Sequence, residues 1–490
     1  MKNWYSKILM FSKVFISFGI VFFTFFSIQT SAQIKFQRTY GIGTYNEGRC
    51  VKQTFDGGYI VAGTESEAGN GATDVYLLKV DSLGNFQWHK TFGGTGIDHG
   101  YAVEQMSDSG YAVAGYTNSF GNGGYDGYLV RTDKNGDTLW TKTYGTSNWD
   151  FTYAMKKTFD GGFVLGGISY SLNNLSEPWI FKTDSFGNVE WNKLINSGKN
   201  ISINDVNETN DSGFAAIGYK YNYFLDSSDI YIVRLNSLGN TLWQKSFGSI
   251  RNERGNAFLV RPDNSFVIAG AICDTLCDNY LLHLAPNGDS MWTSILSPPL
   301  DETIYSIDTT HDGKFVITGF TTSFGGGGQD AFITKTDTDG TNIWGYTYGG
   351  LEDEIGFSIH TTTDDGFIVA GTSTTYNPGL KSVYLIKTDS TRSTNPIAIG
   401  INEPVKTISY FHIYPNPATN TITFQFDDLG FQVSKKNILL IYNQLGKEIF
   451  KISIYTKIYQ LNLRQFASGI YLCNLFAEGN LVETGKFIVE

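Results

Sequence analysis

The chain has 490 residues, of which 36 are Lys or Arg and 47 are Asp or Glu, so its formal charge is −11. Aromatic residues make up 15% of the chain, which excludes a disordered polypeptide. The acidic balance argues against nucleic acid as a partner, because nucleic-acid binding requires clustered Lys and Arg. Four cysteines in so long a chain exclude a disulfide scaffold.

The N-terminal segment, residues 1–32, has the three parts of a secretory signal peptide. Three lysines precede the apolar run Val14–Ile28, and the small residues Thr30–Ala32 supply a cleavage site before Gln33. A membrane anchor is the alternative, but a spanning helix needs about 20 apolar residues. We therefore expect cleavage and no transmembrane span in the mature chain.

The middle of the chain, residues 33–389, is one unit repeated seven times. A turn that begins with Asp recurs at steps of 49 to 52 residues, and a Trp follows it in phase. The turns begin at Asp56, Asp108, Asp160, Asp211, Asp263, Asp312 and Asp364, and the tryptophans are Trp88, Trp140, Trp191, Trp243, Trp292 and Trp344. Each unit contains four short strands separated by Asp, Asn and Gly turns, which is typical of a propeller blade.

The two ends of the repeat region predict how the ring closes. Residues 36–41 match residues 88–93, the fourth strand of the first unit, whereas the seventh unit stops near Asp389 without a fourth strand. An open ring would leave unpaired strand edges, so the N-terminal strand should complete the last blade. A linear β-solenoid is the alternative and would need no permuted start. We predict an all-β fold, a seven-bladed β-propeller whose N-terminal strand closes the last blade.

Residue types present in every unit are interpreted as scaffold. The corner Asp81…Gly84…Trp88 resembles the corner of propeller repeats of the pyrroloquinoline-quinone type, in which the Trp packs between adjacent blades. Nothing else supports a quinone, and we expect no cofactor. The Asp-rich turns lack the bidentate Glu of a calcium loop, so no metal is expected. An acid also opens the third strand of six units, where it either caps a loop or binds a cation: Asp74, Asp126, Glu177, Asp229, Asp278 and Asp330.

The loops between blades and between the second and third strands share one face, which we call the variable face. Varied loops on a rigid scaffold are where binding usually resides. Aromatic residues beside Asp and Asn suit sugar rings, so the candidate ligand-binding residues are Trp149, Asp150, Tyr170, Tyr221, Tyr223 and Phe224. Loop packing is the alternative role for these side chains.

Standard catalytic motifs are absent from the sequence. None of the six His falls in a zinc-binding spacing, and no G-x-S-x-G occurs. Carboxylates of the interblade loops could still converge for glycoside cleavage, the candidates being Asp98, Asp150, Asp301 and Asp353. We predict a secreted or cell-surface propeller that binds a glycan or a protein. The alternative is a polysaccharide hydrolase or lyase with a carboxylate site on the variable face.

The tail is a second domain. Residues 390–407 indicate a linker, and the short strands of residues 408–490 predict an immunoglobulin-like β-sandwich. Three motifs follow in order: Tyr414-Pro415-Asn416-Pro417, a segment around Gly446, and Gly469-Ile470-Tyr471 with Lys486 near the end. With these motifs the tail resembles the C-terminal sorting domain of type IX (Por) secretion cargo. The resemblance implies recognition by the type IX machinery and a secreted or outer-membrane cell-surface location. An adhesive sandwich domain is the alternative.

Overall fold

The computed structural model describes residues 35–41, 45–66, 72–170, 176–195, 200–296, 298–376, 380–391, 394, 411–426, 437–443, 447–477 and 480–489. Every regular element in these ranges is a β-strand. Within them, no helix is long and apolar enough to cross a membrane. The predicted signal peptide, most of the predicted linker and Gly446 lie outside the described residues.

Seven four-stranded antiparallel sheets form the blades of a propeller. Blades 1 to 3 comprise β2 (Tyr45–Gln53), β3 (Tyr59–Ser66), β4 (Asp74–Val80), β5 (Phe86–Phe92); β6 (Asp98–Gln105), β7 (Tyr111–Thr117), β8 (Asp126–Thr132), β9 (Thr138–Tyr144); and β10 (Asp150–Lys157), β11 (Phe163–Tyr170), β12 (Ser176–Thr183), β13 (Val189–Leu194). Blades 4 and 5 comprise β14 (Ile201–Glu208), β15 (Phe214–Asn222), β16 (Ser227–Leu235), β17 (Thr241–Phe247); and β18 (Asn252–Val260), β19 (Phe266–Cys273), β20 (Cys277–Leu284), β21 (Ser290–Leu296). Blade 6 comprises β22 (Glu302–Thr309), β23 (Phe315–Thr321), β24 (Asp330–Thr336) and β25 (Asn342–Tyr348).

The seventh blade joins both ends of the repeat region. Its strands are β1 (Phe36–Tyr40), β26 (Glu354–Thr361), β27 (Phe367–Ser373) and β28 (Ser382–Thr388), in the order β1-β28-β27-β26. β1 pairs antiparallel with β28, with Phe36 opposite Lys387 and Tyr40 opposite Val383. β2 contacts β26 and β27, so blade 1 lies beside blade 7. The predicted closure by the N-terminal strand is confirmed.

The cores lie between adjacent blades, where the second and third strands are buried almost throughout. The repeated Trp packs across this gap, as Trp88 lies 5.8 Å from the ring of Tyr111 in blade 2. A Cβ at Gly136, in the corner of blade 2, would come within 2.7 Å of Trp88, and Gly136 has a φ of 81°. Glycine is therefore required at this corner for both its conformation and its lack of a side chain.

The repeated Asp turns hold mostly buried cations of the third strand. Six blades have such a pair: Lys79–Asp56 at 3.0 Å, Arg131–Asp108 at 2.5 Å, Lys182–Asp160 at 2.6 Å, Arg234–Asp211 at 2.5 Å, Lys335–Asp312 at 2.9 Å and Lys387–Asp364 at 3.0 Å. In blade 5, His283 takes the cation's place and contacts Ser265 at 3.1 Å. These pairs hold the tight turns against the third strands. The turns lie opposite the variable face, on a surface that we call the tight-turn face.

The tail forms two antiparallel sheets, as predicted for a β-sandwich. One sheet has the order β29-β30-β33 and the other the order β32-β31-β34-β35. The strands are β29 (Phe411–Tyr414), β30 (Thr421–Phe426), β31 (Asn437–Tyr442), β32 (Glu448–Ile454), β33 (Ile458–Asn462), β34 (Gly469–Ala477) and β35 (Asn480–Val489). Buried residues of both sheets, such as Phe424 and Phe487, share one core.

Candidate binding site on the propeller axis

Each innermost strand carries a β-bulge at an equivalent position, seven residues before the Asp of its tight turn. A bulge inserts one unpaired residue and redirects its side chain. The residues are Arg49, Tyr101, Tyr153, Asn204, Asn256, Tyr305 and Phe357, and all seven line one cavity on the propeller axis. We call these seven residues the bulge ring.

The cavity has a volume of about 750 Å³. This lies within the range of about 300–1,000 Å³ that is typical of small-molecule sites. Its wall also includes Tyr170 and Ser176, which flank the loop between the second and third strands of blade 3, and Tyr219 and Tyr221 of blade 4. The cavity wall therefore extends to the variable-face end of blades 3 and 4.

One side of the bulge ring is aromatic. The rings of Tyr101 and Tyr153 are 5.4 Å apart, and those of Tyr305 and Phe357 are 5.2 Å apart. The Arg49 guanidinium bridges the two pairs, at 4.1 Å from the centroid of Phe357 and 5.7 Å from that of Tyr101. The aromatic surface therefore runs across blades 6, 7, 1, 2 and 3.

Glu47 neutralises Arg49 and fixes its position. The two side chains form an ion pair at 2.5 Å, and Lys381 also reaches the buried Glu47 carboxylate, at 3.1 Å. Burial disfavours the charged form of Glu47, but Arg49 and the hydrogen bond from the Tyr45 hydroxyl outweigh it, and the pKa of Glu47 is lowered. The Arg49 side chain thus lines the cavity, and the Glu47 carboxylate compensates its charge.

The other side of the ring carries two amides. Asn204 Nδ2 donates to the carbonyl of Gly255 at 2.9 Å, and Asn256 Nδ2 donates to the carbonyl of Ile304 at 2.8 Å. Each amide therefore bonds to the bulge backbone of the next blade and has a fixed orientation. No described residue donates to Oδ1 of Asn256, so this oxygen can accept a hydrogen bond from a ligand.

Burial acts on the pKa of three tyrosines in the cavity wall, Tyr153, Tyr305 and Tyr170. Burial, followed by the neighbouring Tyr101, raises the pKa of Tyr153 far above its ordinary value, and burial also raises the pKa of Tyr305 and of Tyr170. Neutral hydroxyls both donate and accept hydrogen bonds. The wall thus combines ring faces with hydroxyl and amide groups.

Charged residues surround the end of the cavity nearest the tight-turn face. Glu104 of the wall pairs with Lys52 at 3.6 Å, and the Glu104 charge is the main cause of the raised pKa of Lys52. Burial raises the pKa of Asp205, which also lines the wall and accepts from the backbone amides of Val206 and Phe258. These acids are engaged by protein groups at this end.

The structure brings together three of the six predicted ligand residues, Tyr170, Tyr221 and Tyr223, in the cavity wall. Trp149 is 54% exposed at the rim, with its ring 6.3 Å from that of Tyr170. Phe224 is fully exposed and outside the wall.

Asp150, by contrast, is buried outside the cavity wall. Its Oδ2 accepts from the Thr146 amide at 2.6 Å and from the Thr146 hydroxyl at 2.9 Å. The structure therefore places Asp150 as a cap of its interblade loop.

The other candidate acids also organise loops. Asp98 accepts from the Gly94 amide, Asp301 from the Cys277 amide and Asp353 from the Gln329 amide. In the third-strand series, Asp126 accepts from the amides of Asn122 and Gly123. Among the described residues, no group of three or more His, Cys, Asp or Glu is placed to hold a metal ion. Cys273 and Cys277 form a disulfide that closes the loop between β19 and β20.

The bulge ring is the feature of the candidate site that was not predicted from the sequence. A signal for it exists, because the position seven residues before each turn Asp differs in character from unit to unit within an otherwise regular repeat. Departures from a repeat are the expected marks of function, and this position departs at the axis rather than in a loop.

The sorting motifs of the tail come together around its last strand. Asn416 Nδ2 donates to the carbonyl of Lys486, and the amide of Ile488 donates to Asn416 Oδ1. Tyr471 is buried and stacks on Phe487, with ring centroids 5.4 Å apart. The Pro-Asn-Pro segment is thus attached to β35.

Comparisons with known proteins agree with this reading of the tail. Residues 412–490 match the family described as secretion system C-terminal sorting domain. The chain is 31% identical over 114 residues to the regulatory protein FlaEY of Caulobacter vibrioides, a stretch that covers 21% of this chain and 12% of that protein.

Two solved structures are also similar to this chain. The extracellular domain of BT4673 from B. thetaiotaomicron is 12% identical with a TM-score of 0.41, over 92% of this chain and 57% of that one. Sqt1 from Chaetomium thermophilum is 9% identical with a TM-score of 0.41, over 73% of this chain and 99% of that one. Residues 412–490 are a secretion system C-terminal sorting domain, and the chain is a type IX secretion cargo, secreted or attached to the cell surface, that carries a propeller.

Proposed function

We propose that the exported propeller is a binding protein and that its ligand is a glycan held in the axial cavity. The observation that carries the proposal is the division of the bulge ring into an aromatic side and an amide side. A pyranose has the same division, since its C–H face packs on aromatic rings and its hydroxyls bond to amides and tyrosines.

The rim extends the aromatic surface outward from the cavity. Trp149 packs edge-on against Tyr170, and the rings of Tyr221 and Tyr223 are perpendicular at 4.8 Å. A sugar chain whose terminal residues enter the cavity would continue along this rim. The rim therefore supports an oligosaccharide rather than a single sugar.

Calorimetric titration of the full chain with a panel of neutral and acidic oligosaccharides tests the proposal. Tyr153→Ala and Tyr223→Ala should each weaken binding about 10-fold or more, because aromatic anchors dominate such sites. Phe159→Ala is the matched control, an exposed aromatic residue beside a tight turn. Unchanged affinity in both cavity variants, or an equal loss in the control, would reject the site.

A protein ligand is the second candidate, favoured by exposed apolar residues in loops of the variable face. Ile250, Leu351 and Leu380 are each more than 70% exposed. Exposed apolar groups contribute to a protein interface where they form a continuous patch. If a protein is the ligand, Leu351→Ser should weaken capture of the partner from surface extracts, whereas Tyr153→Ala should not.

A further inference from the structure

Arg254 is one of two cations in the cavity wall that form no ion pair with a described acid; the other, Lys156, acts electrostatically on Asp205. Arg254 lies in β18, two residues before the bulge-ring residue Asn256, and its side chain lines the cavity. Its guanidinium lies 5.2 Å from the centroid of Tyr219, a residue of the adjacent blade. No described acid lies within 4.0 Å of this guanidinium.

The contrast with Arg49 makes this arrangement specific. Arg49 has the buried Glu47 as its partner, and Lys52 has Glu104. Both arginines act electrostatically on Tyr305, so they share one cavity. Arg49 is thus paired within the protein, whereas Arg254 has no described acid within ion-pair distance.

A guanidinium presents two parallel N–H groups that match the two oxygens of a carboxylate. The Tyr219 ring packs against the Arg254 guanidinium, and Arg254 lines the cavity. Asn256 follows on the same strand with a free Oδ1 acceptor for a sugar hydroxyl. A carboxylate at Arg254 would therefore be attached to a ring that contacts the bulge ring.

We propose that the cavity recognises a sugar that carries a carboxylate, and that Arg254 binds this carboxylate. The inference rests on the proposed glycan-binding function and specifies its ligand class. Uronic acids and sialic acids share this chemistry. Arg254 is thus the specificity-determining residue of the site.

Calorimetry on the full chain with matched probes tests the proposal. The probes are a galacturonic acid trisaccharide and its methyl ester, sialyllactose and lactose, a sulfated disaccharide, and a peptide with a free C-terminal carboxylate. Each acid should bind at least about 10-fold more tightly than its uncharged counterpart, because hydrogen bonds between charged groups are stronger than those between neutral groups. Whether the trisaccharide or sialyllactose binds identifies the source of the carboxylate.

Two substitutions at Arg254 and one control complete the design. Arg254→Leu should abolish the preference for the acid, so that the acid and its uncharged counterpart bind with affinities within about 2-fold of each other, since neither probe then makes an ion pair. Arg254→Lys should recover part of the preference, because lysine keeps the positive charge but lacks the two parallel N–H groups of the guanidinium. Arg251→Leu, at an exposed arginine outside the cavity wall, is the control.

The outcomes separate this inference from the proposed function. If acid and ester bind equally, and Tyr153→Ala weakens both, the glycan site stands and the role of Arg254 is refuted. Binding of only the sulfated probe or only the peptide would also overturn the carboxylate-sugar assignment. If no saccharide binds the unsubstituted chain, both proposals fall.

Discussion

Ring closure by the N-terminal strand can be tested at a single side chain, Tyr40. Tyr40 is 2% exposed, and its hydroxyl donates to the carbonyl of Gly84 in blade 1 at 2.6 Å. Tyr144 makes the same contact between blades 2 and 3, with its hydroxyl 2.7 Å from the carbonyl of Gly187. The two tyrosines differ in chain connectivity. Tyr144 lies in β9, which directly follows the other strands of its blade, whereas Tyr40 lies in β1, at the opposite end of the repeat region from the other strands of blade 7.

The structure sets the size of the effect. Replacing a buried aromatic ring by Ala costs about 3–5 kcal/mol, and leaving the Gly84 carbonyl without its donor adds about 1 kcal/mol or more. We therefore expect Tyr40→Ala to lower the free energy of unfolding by about 4–6 kcal/mol and Tyr144→Ala by a similar amount. Tyr40→Phe, which removes only the hydroxyl, should cost about 1 kcal/mol.

Tryptophan fluorescence during urea unfolding of the mature chain, residues 33–490, measures these changes. The tail contains no Trp, and Trp4 is removed with the predicted signal peptide, so the signal reports on the propeller alone. Comparable losses for Tyr40→Ala and Tyr144→Ala would support a ring closed by β1. A loss in Tyr144→Ala together with unchanged stability in Tyr40→Ala would refute the closure.

Three further predictions follow from the contacts described above. Lys335 and Thr310 hold the pKa of Asp312 at about 2, below the unfolded value near 3.8, so its contribution to stability is present above about pH 5 and is lost as the pH falls through about 2. Asp312→Asn should therefore reduce the fall of the melting temperature over that interval, and an unchanged acid slope would contradict this. Asp364→Ala removes the ion-pair partner of the buried Lys387 and should lower the free energy of unfolding in urea by about 3–5 kcal/mol. Asp137→Ala breaks an exposed pair and should cost about 0–1 kcal/mol. Equal losses in the two variants would show that burial does not set the cost. Asn416→Ala removes both bonds between the Pro-Asn-Pro segment and β35, and immunoblots should show more of the cargo retained in cells; normal export would show that this attachment is dispensable.

The repeat predicted the fold well because the physics of the blade acts on each unit separately. A Trp such as Trp88 and a glycine such as Gly136 recur because every gap between blades has the same shape. The unmatched fourth strand at Phe36 then had one place to pair. Ring closure could thus be predicted, because the seventh unit lacks a fourth strand and the sequence places a matching strand at the start of the repeat region.

The site was harder to predict because it depends on register and on satisfied hydrogen bonds. Asp150 stands beside Trp149 in an interblade loop, yet its carboxylate is buried on Thr146. A loop acid that caps amides and one that meets a ligand look alike in sequence. The bulge that redirects Tyr153 into the cavity is likewise invisible, because strict alternation would assign its neighbours to the wrong faces.

The bulge separates scaffold from recognition within a single strand. Residues on either side of it keep the ladder to the second strand, as Thr152 and Ala154 do with Gly167 and Gly166. The bulged residue is excluded from the ladder, so its identity is free of the pairing that constrains its neighbours. Seven such positions face one another on the axis, which explains how Arg, Tyr, Asn and Phe can occupy equivalent places in one fold. Specificity can therefore change one blade at a time. Asn204→Tyr should alter ligand preference in calorimetric titrations, and it should cost only about 1 kcal/mol in urea unfolding, because the Gly255 carbonyl loses its donor while the ladder of blade 4 is kept.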